Sequence, residues 1–494
     1  LLSNQNTFCD NFAMPHLASF LVIIAVWAVT YLTNLGASEF RSEEGRRVMP
    51  AVQMLQTGNY VVPYIGTEPY LRKPPLINWI VAGSFKLFDV RNEWTARVVS
   101  AVFILTVALL LRMFAAPTLG RFGSTIAALC WLTILGLIEK GRMIEIEATY
   151  VSLFGVAFFL WLILWQGNRS PWLTFVVPWL FLGLGMLAKG PANVAFFYVL
   201  ICAVLWKNHR LSDLLHPAHA VGLLCATGIF AAWLIPFFDT LHSHAPIRVW
   251  GHEAAVAFHG EKDRSENWSL NFPHGFAYFL PWVLLVPFIR FQKIDHPTQR
   301  ETVRGLAFAS ALLFVIILLI PGTLPRYVLP LVAPFCWIIG VACANNAFEW
   351  SIRFKSFQLR VPRVFAVFVI ASGVVAAMVI FPLRSVTYLK RHERLIPVAE
   401  KVNAVVPPDQ QLYAVNLPFL PYLFYVHAPV IYLRKLDELP TDARYFLVAP
   451  NYQRKIAKIP RLARARAVVW TPKYPPTFTD GESVLFVIDE RPDA

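Results

Sequence analysis

YLRKPPLINWIVAGSFKLFDV, residues 70–90, sets two cations, Arg72 and Lys73, before a double proline at 74–75 and an apolar run of about four helical turns. If the run crosses a bilayer, the loop before it and the loops after it lie on opposite sides. If it lies on the bilayer, the charged groups of those loops share one compartment.

The rest of the chain supplies the setting. Of its 494 residues, 57% are hydrophobic and only 15% are charged. One soluble core cannot hide that much apolar surface, whereas a bilayer absorbs it span by span. The expected fold is a polytopic α-helical membrane protein. Runs near 17–34, 96–114, 122–138, 149–165, 172–188, 191–206, 218–238, 275–290, 305–321, 327–345 and 364–383 approach the roughly 17–25 residues a span requires. They make about eleven candidate spans in an expected total of 11–13. No period of about 20–50 residues recurs, which argues against a solenoid. The net charge of +14 sits in short connectors between these runs, the pattern of loops flanking spans and not of a nucleic-acid surface.

Five of the six cysteines (Cys130, Cys202, Cys225, Cys336 and Cys343) fall inside apolar runs, so neither disulfides nor a thiolate metal site is expected. Residues 17–35 are longer than a signal-peptide core and lack a basic leader, and they read as a retained first span. Met14 directly precedes that span, so residues 1–13 are expected to lie ahead of the native start.

From about residue 385 the composition changes. Helix-like LIPVAEKVNAVV (395–406) is followed by strand-like QLYAVN (411–416), YFLVAP (445–450), RAVVWT (466–471) and SVLFVI (483–488), parted by Pro, Asp and Asn. The expected division is a transmembrane domain over 1–384, with a first outer loop at 35–95, and a small soluble α/β domain over 385–494.

Loop charge answers the opening question. If 76–90 does not cross, one alternate set of connectors collects Arg112, Arg121, Arg169, Lys207, Arg210, Arg290, Lys293, Arg300, Arg304, Arg353, Lys355, Arg360 and Arg363. The positive-inside rule makes that set cytoplasmic. The opposite set is 35–75, 139–148, 189–190, 239–274, 322–326 and the C-terminal domain, all facing outward together. The segment is short and carries Asn78, Lys86 and Asp89 beside one apolar face, which reads as a helix lying on the outer surface.

Several ionisable residues then share the outer side: Glu43, Glu44, Arg46 and Arg47 after the first span, Lys73, Arg142, Glu145 and Glu147 in EKGRMIEIEATY (139–150), Lys189 in LAKGP (187–191), and Arg326 in PGTLPRYVLP (321–330). A sugar linked to a polyprenyl phosphate would explain the mixture. Cations stabilise the phosphate as it leaves, and a carboxylate takes the proton of an incoming hydroxyl. Singly, each has a plainer reading: Glu43–Arg47 as a solvated charge run, Lys189 as a snorkelling anchor, Arg326 as a headgroup contact. Glu147 resists such a reading, because a second carboxylate two residues from Glu145 at the mouth of an apolar helix is costly without a function. His252, Glu253 and His259 lack the HExxH spacing of a metal site.

The order of these features resembles the polyprenyl-phosphate-dependent glycosyltransferases of the GT-C fold, in the branch of the lipid A aminoarabinose transferase, with the protein O-mannosyltransferases more distant. The carriers are Glu43, Glu44 and Arg46, GNYVVPYIGTEPYLRKPPL (58–76), the Arg142-to-Glu147 motif, LAKGP, FLPWVLLVP (279–287) and PRYVLPL (325–331). The resemblance implies a periplasm-facing site in a bacterial inner membrane. There a sugar would pass, with inversion, from undecaprenyl phosphate to an envelope glycolipid or protein. It implies Glu43 and Glu147 as catalytic carboxylates, Arg46, Lys73 and Lys189 near the donor phosphate, and Tyr70 and Tyr327 in the cavity wall. Glu44, Arg142, Glu145 and Arg326 complete the expected binding set.

The chain departs from the pattern by having Glu where the family usually has Asp at 43 and 147. It also has Arg72 in place of a Glu associated with metal in some relatives, which argues against the divalent metal the resemblance would otherwise allow, and no cofactor is assigned. HGEKDRSENW replaces a His-rich acceptor segment, so the lipid A acceptor is not carried over. Two other functions fit the composition: a transporter or flippase of lipid-linked sugars, which would show repeats and mid-membrane charges, and a non-catalytic assembly protein acting through its C-terminal domain.

Overall fold

The computed structural model describes residues 16–259, 268–354, 357–390, 394–471 and 481–488. Residues 1–13 and part of the HGEKDRSENW segment lie outside them. Six described helices are long and apolar enough to cross a bilayer: Glu93–Phe114, Ile146–Gln166, Pro171–Lys189, Pro217–Leu241, Pro297–Leu319 and Pro325–Ala344. Ala116–Thr133 and Leu135–Gly141 form a seventh candidate, bent by 57°. The break falls at extended Ile134, and the N–H groups of Leu135 and Gly136 donate instead to the carbonyls of Leu280 and Tyr278 at 2.9 Å each. Leu17–Leu32, Leu76–Phe88, Ala192–Lys207 and Arg363–Val379 are shorter apolar helices.

One expected span is corrected. Residues 275–290 are not a single helix; the run holds the end of a short helix, Asn271–Ala277, and a 3-10 stretch, Trp282–Phe288. Pro281 and Pro287 interrupt it, each lacking the N–H that a helix interior needs.

The chain divides into two compact units. The first comprises Leu1–Leu35, Arg72–Ile77 and Arg97–Arg384; the second comprises Gly36–Leu71, Asn78–Ala96 and Ser385–Ala494.

Within the first unit, small residues let helices approach closely, as membrane helices require. A Cβ at Gly222 of helix Pro217–Leu241 would collide with the carbonyl of Phe175 in helix Pro171–Lys189. Gly222→Val should therefore destabilise the protein by about 1–3 kcal/mol. Thermal melting in detergent would show this as a lowered midpoint, and an unchanged midpoint would contradict the packing.

The second unit contains most of the opening stretch. Helix Leu76–Phe88 has 13 residues, a length of about 20 Å against a hydrocarbon core of about 30 Å. Its polar side chains are used internally: buried Asn78 donates to the Arg47 carbonyl at 2.8 Å, and Ser84 to the Thr95 carbonyl at 2.6 Å. Phe85 packs on Phe424.

The C-terminal sheet has five strands, ordered across it as Val430–Leu433, Leu412–Val415, Tyr445–Val448, Ser483–Ile488 and Ala465–Thr471. Leu412–Val415 runs parallel to both its neighbours, and the remaining pairs are antiparallel. Helix Ile396–Asn403 begins where buried Glu39 accepts the N–H groups of Arg394, Leu395 and Ile396. These donors would otherwise be orphaned at a helix start. The strand Val430–Leu433 was not foreseen: it is an edge strand of four half-buried residues without a clean alternation.

Candidate active site

Helix ends build the first constellation, in the first unit. Glu145 is the extended residue before helix Ile146–Gln166, and Glu147 stands in its first turn, where free N–H groups and the helix dipole favour an anion. Helix Pro171–Lys189 stops at Lys189 because Gly190 takes a φ of 98°, open to glycine, and Pro191 follows. A cation suits that end. Arg326 lies on the 3-10 turn Pro325–Leu331, which leads into Val332–Ala344.

The three ends meet. Lys189 Nζ donates to Glu147 Oε1 at 3.0 Å, and Arg326 Nε stands 3.3 Å from the same oxygen. Arg326 Nη1 is 3.8 Å from Glu145 Oε2; Lys140 Nζ is 3.2 Å from that atom and 2.8 Å from Glu139 Oε1. Lys189 Nζ also lies over the rings of Tyr327 and Tyr150, 4.8 and 5.3 Å from their centroids, within cation–π range. Burial pushes the Glu145 carboxyl above its ordinary range, against the pull of Lys140.

Three carboxylates thus offset three cations in a largely buried cluster. The side chain of Glu147 is 7% exposed, and of the three cations Arg326, at 28%, is the most exposed, so it is the one an incoming anion reaches most easily. Keeping so many ions out of water is expensive, and such a cluster at the mouth of apolar helices points to function.

Not every expected residue joins it. Arg142 donates from Nη1 and Nη2 to the carbonyls of Thr30 and Thr33, at 2.6 and 2.7 Å, and so clamps the end of the first apolar helix. Its burial, aided by the charge of Arg97, lowers its pKa to about 10. Lys73 and Arg72 both face Glu253, at 3.7 and 3.8 Å.

A second constellation stands in the second unit. Glu43, Arg46 and Arg47 share one face by their i, i+3 and i+4 spacing. Glu43 Oε1 accepts from Arg46 Nη1 at 2.6 Å and Oε2 from Arg47 Nη2 at 3.2 Å, while Arg47 Nη1 donates to the Tyr70 hydroxyl at 2.8 Å. Arg46 is also stacked over the Phe419 ring, 5.2 Å from its centroid. Buried Glu44 accepts the Arg41 N–H at 3.0 Å and so closes the local turn.

Sequence reasoning grouped Arg47 with the outer charges but gave it no role, and it left Lys140, Tyr150 and Glu253 out of the site. The four-residue step from Glu43 signals Arg47, but nothing in the sequence pairs Glu253 with Lys73 across so long a separation. Among the described residues, no three His, Cys, Asp or Glu side chains are grouped to hold a metal ion.

Known proteins share this architecture. Residues 72–235, about a third of the chain, match the family described as Dolichyl-phosphate-mannose-protein mannosyltransferase. An undecaprenyl phosphate-alpha-4-amino-4-deoxy-L-arabinose arabinosyl transferase of Pseudomonas fluorescens is 25% identical over 346 residues, covering 66% of this chain and 59% of that protein. An uncharacterised protein of Aquifex aeolicus is 28% identical over 180 residues, 36% of this chain and 39% of its own. The chain therefore spans less than two thirds of the length of these curated relatives.

The crystal structure of ArnT from Cupriavidus metallidurans bound to undecaprenyl phosphate superposes with a TM-score of 0.67 at 16% identity, covering 95% of this chain and 97% of that one. Its apo form gives 0.65 at 15% identity. The resemblance read from the motifs holds: this is a multi-pass membrane protein with the GT-C fold, carrying a small C-terminal domain that contains strands.

Proposed function

We propose that the protein is a bacterial inner-membrane glycosyltransferase that moves one sugar from undecaprenyl phosphate to an envelope acceptor at the periplasmic face. The observation that carries this reading is the buried group in which Glu147 holds Lys189 and Arg326 at one oxygen. Its place at helix ends favours surface chemistry over the mid-membrane charges of a transporter.

In the reaction, the bond between the anomeric carbon and the phosphate oxygen breaks, and its electron pair stays on the phosphate. A phosphodiester with one negative charge becomes a monoester with two. Lys189 and Arg326 stabilise that second charge as it develops, in surroundings of low dielectric where the effect is strong. Glu147 fixes their spacing and offsets their charge beforehand. The acceptor hydroxyl oxygen bonds to the anomeric carbon from the opposite face, which inverts its configuration. Its proton passes to a carboxylate; the family resemblance of the first loop supports Glu43, held between two arginines and 28% exposed, as that group.

The fold leaves the acceptor open, with a glycolipid or a protein both admissible. The test is to incubate purified protein with a set of undecaprenyl-phosphate sugars and follow the lipids by mass spectrometry. Loss of the sugar from one of them, with matching appearance of undecaprenyl phosphate, is expected; no release from any of them would overturn the reading.

A further inference from the structure

The second unit holds a cavity of about 670 Å³ that plays no part in the chemistry above. Its walls come from the last turns of helix Gly45–Thr57, the hairpin of Tyr64–Ile65 with Glu68–Pro69, and the edge strand Val430–Leu433 with the turn that follows it. Its volume falls within the roughly 300–1,000 Å³ of small-molecule sites.

One wall is set before any ligand arrives. The Gln53 amide is tied in both directions to Gly66, donating to its carbonyl at 2.7 Å and accepting its N–H at 3.1 Å. Gly66 has a φ of 67°, and a Cβ there would stand 3.4 Å from the Tyr432 ring. The positive φ makes glycine the fitting residue of this turn, and a side chain there would touch the ring.

The lining selects a chemical class. Gln56 and Thr57, both exposed, are polar members of the lining, and Tyr64 and Tyr432 are its aromatic members. The charged members are one of each sign, Arg434 and Glu438. A polyphosphate would want an excess of cations, which the cavity lacks, and a lipid tail an unbroken apolar lining, whereas here the apolar Met54, Val62, Val430 and Ile431 are interrupted by Gln56, Thr67 and Arg434. Neutral donors and acceptors beside aromatic rings match a polyhydroxylated ring, whose hydroxyls need partners on several sides and whose C–H face packs on an aromatic one.

We propose that this cavity is a saccharide-binding site, taking uncharged sugar units of an envelope glycan. The site is independent of donor cleavage: a protein that releases no undecaprenyl phosphate would still bind sugar here, and one lacking this site would still cleave donor.

Saturation-transfer difference NMR on the full-length protein in detergent would test it. The probes are chitobiose, cellobiose, a sulfated chondroitin disaccharide and an extended hexapeptide able to pair with the edge strand. At least one neutral disaccharide should give transfer. Thr57→Trp, which fills the cavity from an exposed position, should reduce that signal at least fivefold with an unchanged melting midpoint. If this variant folds poorly, the pair Gln56→Ala and Arg434→Ala, both on exposed side chains, should produce the same loss. Binding that survives these changes, binding of only the sulfated sugar or the peptide, or no binding of either neutral disaccharide would overturn the proposal.

Discussion

Lys189→Gln should slow release of undecaprenyl phosphate by about 10²–10³-fold, the loss typical of removing one preorganised donor to a developing anion. The substitution keeps a hydrogen-bond donor within reach of Glu147, and Arg326, 3.3 Å from that carboxylate, still offsets its charge. The variant should therefore insert and melt almost as the parent does. This choice matters, because stripping a buried ion of its partner altogether costs about 3–5 kcal/mol and would confuse loss of fold with loss of chemistry. Rates within threefold of the parent would remove Lys189 from the reaction and leave it as a span-end anchor stacked between Tyr327 and Tyr150.

Glu43→Gln should abolish transfer, with a loss of about 10²–10⁴-fold, the range expected of a general base. Little stability should go with it. Glu43 pairs with Arg46 at 28% and 21% exposure, and partly solvated ion pairs of this kind contribute about 0–1 kcal/mol, while the Gln amide oxygen keeps an acceptor for buried Arg47. Arg47 keeps its donation to Tyr70, so the helix face stays in place. The informative comparison is the rate of acceptor glycosylation beside the circular-dichroism melt of the same preparation. An active Glu43→Gln enzyme would return the first-loop charges to the role of a solvated surface. An inactive variant whose melt has collapsed would show that the carboxylate holds the loop together.

How much of this was legible in the sequence depended on how local the signal is. The first-loop triad follows from spacing alone, since Glu43, Arg46 and Arg47 must share a helix face. Lys189 follows from Gly190 and Pro191, which end its helix whatever surrounds it. The 13-residue length of Leu76–Phe88 was also visible, bounded by the double proline before it and Asp89 after it, with a φ of 53°.

Hydropathy misled at 275–290, where the apolar count was high but Pro281 and Pro287 interrupt the backbone ladder. Arg142 looked like a ligand-binding cation because it lies beside Glu145 in the sequence, yet its guanidinium turns to the carbonyls of Thr30 and Thr33, 112 and 109 residues away. Asn78 looked like the polar side of a surface helix, but it is buried and bonded to the Arg47 carbonyl. Such partners are set by tertiary packing and leave no periodicity to read. The edge strand Val430–Leu433 was missed for a related reason, because its pairing with Leu412–Val415, not its own pattern, makes it a strand.

Undecaprenyl phosphate is the product common to every donor of the proposed class, so its binding tests the central claim without knowledge of the sugar. The measurement is the dissociation constant of undecaprenyl phosphate for the parent protein and for the single variants Lys189→Gln and Arg326→Gln, each of which leaves Glu147 one cation, in one detergent and at one pH. The phosphate should bind the parent at least tenfold more tightly than either variant, with all three proteins melting alike. Equal affinity in all three would contradict the assignment of the Glu147, Lys189 and Arg326 cluster as the phosphate site.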